Sequence, residues 1–227
     1  MRERRIVRAD TRLRPVPLVP EIRLHQADDP ISLWERTEQA RGQAGLDPPF
    51  WAFAWAGGQA LARYLLDHPS VARGRDVTDI ASGSGLVAIA AALAGAAAVA
   101  AYDIDPLAAV AIEVNAEANG VAVRAVCADV LDDEDRPARG PGLVLAADAF
   151  YQRDLADRVM RFAGRAQARG ACVLLGDLGR AYLPRSGLTP LASYDVPVPR
   201  ALEDSAVKRT TVWALSGAAI VCAPTVR

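Results

Sequence analysis

Asp79-Ile80-Ala81-Ser82-Gly83-Ser84-Gly85 is the stretch that decides the fold. The apolar run Val77 to Ile80 leads into it and the small-residue run Leu86 to Leu93 leads out. It therefore reads as a buried strand, a glycine turn and a helix. Gly83 and Gly85, with Ser84 between them, remove the bulk that would keep a ligand off the backbone. The helix start supplies unpaired N–H donors. Asp103 lies twenty positions after Gly83, at the end of the next apolar run, Ala98 to Tyr102. A carboxylate there can accept both hydroxyls of a ribose. The alternative, a tight turn with no ligand, is the weaker reading because the acid and the strand–loop–helix context come together.

Working outward, strand and helix alternate. Asp105 caps a helix opened by Pro106 and closed by Asn119-Gly120. Val121 to Val126 reads as a third strand and Leu143 to Ala147 as a fourth. Gln152 to Arg169 reads as a helix and Ala171 to Leu175 as a fifth strand. Then the alternation stops, and Leu191 to Val198 with Val207 to Leu215 reads as an antiparallel hairpin. The expected fold is α/β: a doubly wound, Rossmann-like, seven-stranded and mostly parallel sheet with a C-terminal antiparallel hairpin. Residues 48–227 form the expected domain. Residues 1–47, Pro-punctuated and mixed in charge, are expected to be a lead-in segment and an exposed arm.

Composition narrows the function. The net charge of −1 gives no basic field for nucleic acid or a membrane surface, and 52% apolar residues suit a folded core. Gly85 to Tyr102 is apolar but mostly Ala and broken by Gly95, so it reads as a helix and a strand rather than a membrane span. Cys127, Cys172 and Cys222 lie far apart in apolar runs and read as buried free thiols, which suits a reducing compartment. The chain is expected to be cytoplasmic. The Arg-rich start leaves the mitochondrial matrix as the minor alternative, although Glu3 and Asp10 interrupt it.

Gly83, Gly85 and Ala88 also match the G-x-G-x-x-A fingerprint of a dinucleotide site, so an NAD-dependent oxidoreductase competes. Asp79 weighs against it, because a carboxylate at the loop repels a pyrophosphate. S-Adenosylmethionine carries a sulfonium and an ammonium and no phosphate, and an acid helps hold it. Asp129, after the third strand, can accept the adenine amine, or be only the first acid of a surface turn.

Several segments together resemble a known group. They are Pro49-Phe50-Trp51-Ala52-Phe53-Ala54-Trp55-Ala56-Gly57-Gly58-Gln59-Ala60-Leu61, the Asp79 loop, Asp103-Ile104-Asp105-Pro106, Asn115 to Gly120, Asp148-Ala149-Phe150-Tyr151 and Arg209-Thr210-Thr211-Val212-Trp213. They resemble the seven-strand protein-lysine methyltransferases, with Asp148 and Tyr151 matching the D-x-x-Y signature. Within that group, Pro20-Glu21-Ile22-Arg23-Leu24 and the Trp51 segment look most like the family that methylates the electron transfer flavoprotein β subunit. Ala81 departs from the Gly of many relatives. Ribosomal-protein methyltransferases share the Asp103 and Asn115 pieces, and a small-molecule N-methyltransferase acting on a nicotinamide-like amine would use the same loop.

The resemblance implies S-adenosylmethionine as cofactor and S-adenosylhomocysteine as product. It implies that Asp79, Gly83, Ser84 and Gly85 surround the methionine part, Asp103 with Ile104 the ribose, Asp129 the adenine, and that Trp55 and Ala147 border the cofactor. Asp148 and Tyr151 would face the target lysine, with Trp51 and Phe150 on the substrate side. Each has a plainer alternative: Asp148 as a helix cap, Tyr151, Trp51 and Trp55 as core aromatics.

Overall fold

The strand that feeds the glycine loop lies inside the sheet. Its Val77 and Ile80 are buried, as are both neighbours, so it has no exposed edge. The computed structural model describes residues 2–42, 48–132, 142–198 and 205–217. The elements are α1 (Arg2–Ala9), β1 (Arg12–Val16), β2 (Val19–Gln26), α2 (Pro30–Arg41), α3 (Ala56–Asp67), β3 (Asp76–Ile80), α4 (Leu86–Leu93), β4 (Ala98–Asp103), α5 (Pro106–Ala118), β5 (Arg124–Cys127), β6 (Leu143–Ala147), α6 (Arg153–Ala168), β7 (Cys172–Asp177), β8 (Leu188–Pro197) and β9 (Val207–Leu215).

A seven-stranded sheet runs β5-β4-β3-β6-β7-β9-β8. The first five strands are parallel, and β9 pairs antiparallel with both β7 and β8. This is the doubly wound mixed sheet with a terminal hairpin that the pattern predicts. The chain leaves β3 toward β4 and β5, then returns to β6 on the other side. That reversal opens a crevice at the carboxyl ends of β3 and β6, where ligands bind in such sheets. Side chains alternate across the strands: Leu143 and Leu145 join the core under α3 and α4, while Val144 and Ala146 join the core under α6.

The N-terminal segment is not an exposed arm, and that expectation is corrected. β1 and β2 form an antiparallel hairpin whose Val16, Val19, Ile22 and Leu24 are fully buried. Asn115 and Asn119 on α5 hold β2 in place: their side-chain oxygens accept the N–H groups of His25 (2.8 Å) and Arg23 (2.9 Å). Gln59 on α3 accepts the N–H of Leu18 and donates to the carbonyls of Ala54 and Pro197. One buried amide thus ties the hairpin, the lead-in to α3 and the end of β8 together. Val7 of α1 is buried, and Arg4 bridges Glu113 and Glu117 of α5. The third strand also differs: pairing with β4 begins only at Arg124.

The cysteine reading is corrected as well. Cys127 is exposed, and Cys172 is buried in β7 but disulfide-bonded. Cys222 lies outside the described residues. Among the described residues no helix is long and apolar enough to cross a membrane.

Candidate active site

The carboxyl ends of β3, β4, β6 and β7 each finish in or beside an acid: Asp79, Asp103, Asp148 and Asp177. The first three line one cavity of about 480 Å³, within the roughly 300–1,000 Å³ usual for small-molecule and cofactor sites.

Two glycines make the loop after β3. Gly83 lies at φ 54° and Gly85 at φ 80°, where a side chain is strained. A Cβ on Gly85 would also stand 3.3 Å from Ile112. Gly85 precedes α4 and packs against α5, so its part is to let the helix start close to its neighbour; it does not line the cavity. Ala81 has φ 50°, a left-handed conformation that glycine adopts freely and in which alanine stores strain.

The acids hold the loop as well as face the cavity. Asp103 accepts the N–H of Gly83 (2.8 Å) through one oxygen and that of Asp105 (3.0 Å) through the other. A carboxylate has about four acceptor sites, so capacity for a ligand hydroxyl is left beside these backbone donors. Asp79 is 1% exposed and accepts the Ser82 hydroxyl. Burial, helped by the nearby Asp103 charge and opposed by the Ser82 hydrogen bond, pushes its carboxyl up to about 7. Asp129 is half-exposed and paired with Arg158 at 2.7 Å. Ile104, 65% exposed, forms an apolar rim, and Ala147 ends β6 at the wall.

Asp148 is built differently. It sits at φ 55°, a conformation that Asp tolerates better than most residues. Its backbone N–H donates to the Gly176 carbonyl, and its Oδ2 accepts the N–H of Gly58 (2.8 Å) at the start of α3. The α3 N-terminus thus stabilises this carboxylate through its free N–H donors and its dipole. Such closeness requires two glycines. A Cβ on Gly57 would lie 2.2 Å from the Gly176 carbonyl oxygen, and one on Gly176 would lie 2.3 Å from that of Gly57. Burial is the largest influence on the Asp148 carboxyl and drives it up to about 6, against the opposing charge of Arg180. Arg180 reaches Oδ1 at 3.4 Å. Asp148 does not cap α6, since Gln152 holds the N-cap position.

Aromatic residues close the remaining wall. Trp55 donates its indole N–H to the Phe50 carbonyl at 2.9 Å and meets the Phe50 and Phe53 rings edge-on. Trp51 is 1% exposed, lines the cavity, and carries an indole N–H with no hydrogen-bond partner among the described residues. Tyr151 is 40% exposed at the rim with its ring 5.5 Å from that of Phe50, so it is no core residue. Phe150 is the exception among the expected wall residues. It is fully buried in the core under α6 and does not line the cavity, because the turn after Asp148 directs its side chain inward.

Sequence reasoning missed Gly57, Gly176, Asp177 and Arg180. Asp177 is fully buried, and its Oδ1 accepts the N–H groups of Gly179 and Arg180, both at 2.7 Å. Its position at a strand end, like that of Asp103, was the available signal.

Residues 59–147 match the family model described as ribosomal protein L11 methyltransferase (PrmA). That match covers the cofactor loop and stops one residue before Asp148. Over 205 residues the chain is 37% identical to the electron transfer flavoprotein beta subunit lysine methyltransferase of Mus musculus, covering 86% of this chain and 77% of the relative. It is 38% identical over 201 residues to that of Danio rerio, covering 86% and 76%. The chain belongs to the electron transfer flavoprotein β subunit lysine methyltransferase family. Among solved structures, a chain from Streptococcus mutans described as an S-adenosylmethionine-dependent methyltransferase superposes with a TM-score of 0.51 at 14% identity, covering 76% of this chain and 51% of that one. This likeness shows the fold.

The cavity chemistry fits the cofactor such methyltransferases use. Six aspartates line it (Asp79, Asp103, Asp105, Asp129, Asp148 and Asp154) against two arginines, Arg158 and Arg180. That balance suits a ligand bearing a sulfonium and an ammonium and disfavours a diphosphate. The orphan indole N–H of Trp51 is a further polar group awaiting a partner.

Proposed function

We propose that this chain methylates lysine side chains of a protein, and that the protein is the electron transfer flavoprotein β subunit. One observation carries the reading: a single cavity runs from the loop at Asp79 to Ser84, past Asp103, to the largely buried carboxylate of Asp148 and the ring of Tyr151. A binding place for a nucleoside cation and one for an incoming ammonium are thus continuous. The identity to the mouse and zebrafish enzymes supports the choice of acceptor.

When bound, S-adenosylmethionine would supply an electrophilic methyl group on a sulfonium, with S-adenosylhomocysteine as the product. Asp103 would take the ribose hydroxyls, Asp79 would face the positive end, and Asp129 and Ile104 would border the base and ribose. Asp148 draws in the lysine ammonium and orients the nitrogen once its proton has left. An ammonium has no lone pair and an ordinary pKa of about 10.4, so the acceptor end must favour the neutral amine. Trp51, Phe53 and Trp55 exclude water, which disfavours the charged form. Tyr151 offers its ring face to a methylated ammonium.

Incubating the chain with tritiated S-adenosylmethionine and a cell extract tests the acceptor class. A labelled protein band of the size of the β subunit is expected. Label found only in small molecules would overturn the protein-substrate reading.

A further inference from the structure

A difficulty in the acceptor end points to one more residue. Asp148 attracts the ammonium but, as an anion, also favours the protonated form that cannot react. The other acids at the cavity wall act in the same direction: Asp154 from α6, Asp79 from β3, Asp103 from β4, Asp105 at the start of α5 and Asp129 after β5. Asp177, buried at the end of β7, adds its charge from behind. Among the described residues two cationic ones line the cavity, Arg158 and Arg180, and Arg158 pairs with Asp129 and Asp132 at 2.7 Å each. The cation at the Asp148 end is Arg180.

We infer that Arg180 is a positioning residue that offsets the charge of Asp148 and thereby shifts the bound acceptor lysine toward its neutral amine. The inference rests on the lysine-methylation reading above. Arg180 is fixed from its backbone: the Asp177 carboxylate accepts its N–H and that of Gly179, where φ is 93°. Its side chain is 21% exposed, and its NH2 stands 3.4 Å from Asp148 Oδ1, while Oδ2 is engaged by Gly58. An acceptor nitrogen on that carboxylate has the guanidinium as its neighbour. Two cations sharing one carboxylate repel, and only the lysine can discharge, releasing its proton to solvent, because a guanidinium stays protonated throughout the working range. The site can then bind an ammonium and still present an amine.

The test is the pH profile of kcat, which reports groups in the enzyme–substrate complex. Wild-type chain, R180Q and R180K are assayed at saturating S-adenosylmethionine on recombinant electron transfer flavoprotein β subunit. In R180Q the ascending limb is expected to move up by about one pH unit or more, the size that one nearby charge commonly imposes. The KM for the acceptor should stay level or fall, since Asp148 then holds the ammonium without competition. R180K, whose ammonium can itself lose a proton, should leave the limb between the wild-type and R180Q positions. R180M, also uncharged, should repeat the R180Q shift, which separates charge from folding. A uniform loss at every pH with the limb unmoved would overturn the inference, as would a limb that moves in R180Q but not in R180M. Absence of turnover in the wild-type chain is a distinct result, and it would overturn the lysine-methylation reading itself.

Discussion

Replacing Asp148 by Asn separates the chemistry of this carboxylate from its architecture. Asn tolerates the left-handed conformation at φ 55°, and its carbonyl oxygen can still accept the Gly58 N–H now made at 2.8 Å. What disappears is the charge. A hydrogen bond to a charged partner contributes about 1.5–3 kcal/mol, so kcat/KM should fall on the order of 10- to 100-fold. Folding should not suffer. The folded-state carboxyl lies at about 6, above its ordinary 3.8, chiefly because it is buried. A raised folded pKa gives stability that is complete below about pH 4 and lost as pH climbs through about 6. At neutral pH the ionised carboxylate is therefore a burden that Asn removes, and the thermal midpoint should hold or rise. The assay pairs turnover on the flavoprotein subunit with calorimetric titration by S-adenosylhomocysteine. Turnover at the wild-type level, or a loss of nucleoside affinity as large as the loss of turnover, would refute the placement of Asp148 at the acceptor.

Three further outcomes follow from the cofactor side. Asp103→Ala removes the acceptor of the Gly83 and Asp105 N–H groups, so S-adenosylhomocysteine affinity measured by calorimetry should fall at least about tenfold; unchanged affinity would exclude a ribose contact. Ala81→Gly relieves a left-handed alanine at φ 50° and should stabilise the fold by about 1 kcal/mol, read as a thermal midpoint rising by roughly 2–4 °C. S-Adenosylmethionine affinity should weaken as pH falls below about 7, because a proton on Asp79 then competes with the cationic ligand; a pH-independent affinity between 6 and about 8 would exclude that contact.

Much of the sheet was legible because its signals are local. The strand Leu143–Ala147, the helix Leu86–Leu93 and the strand Val207–Leu215 fall where hydrophobic pattern and turn residues put them. The β1–β2 hairpin was not, since its buried Val16, Val19, Ile22 and Leu24 lie among prolines and charges. Its place is set by Asn115, Asn119 and Gln59, which are remote in sequence. The site divides the same way. Asp79, Asp103 and Asp148 lie at or beside strand ends and Gly83 in the loop after β3, all at readable spacings. Arg180 becomes a neighbour of Asp148 only because β7 pairs with β6, and the Gly57–Gly176 contact exists only in three dimensions. Phe150 was misread because a turn with left-handed Asp148 breaks the simple periodicity that would have placed its side chain.

The most direct measurement is intact-mass spectrometry of purified electron transfer flavoprotein after incubation with this chain and S-adenosylmethionine. The β subunit should gain the mass of one or more methyl groups, localised to lysine by fragmentation and absent with Asp148→Asn at short times. An unchanged β-subunit mass, with S-adenosylmethionine bound and the chain folded, would contradict the account.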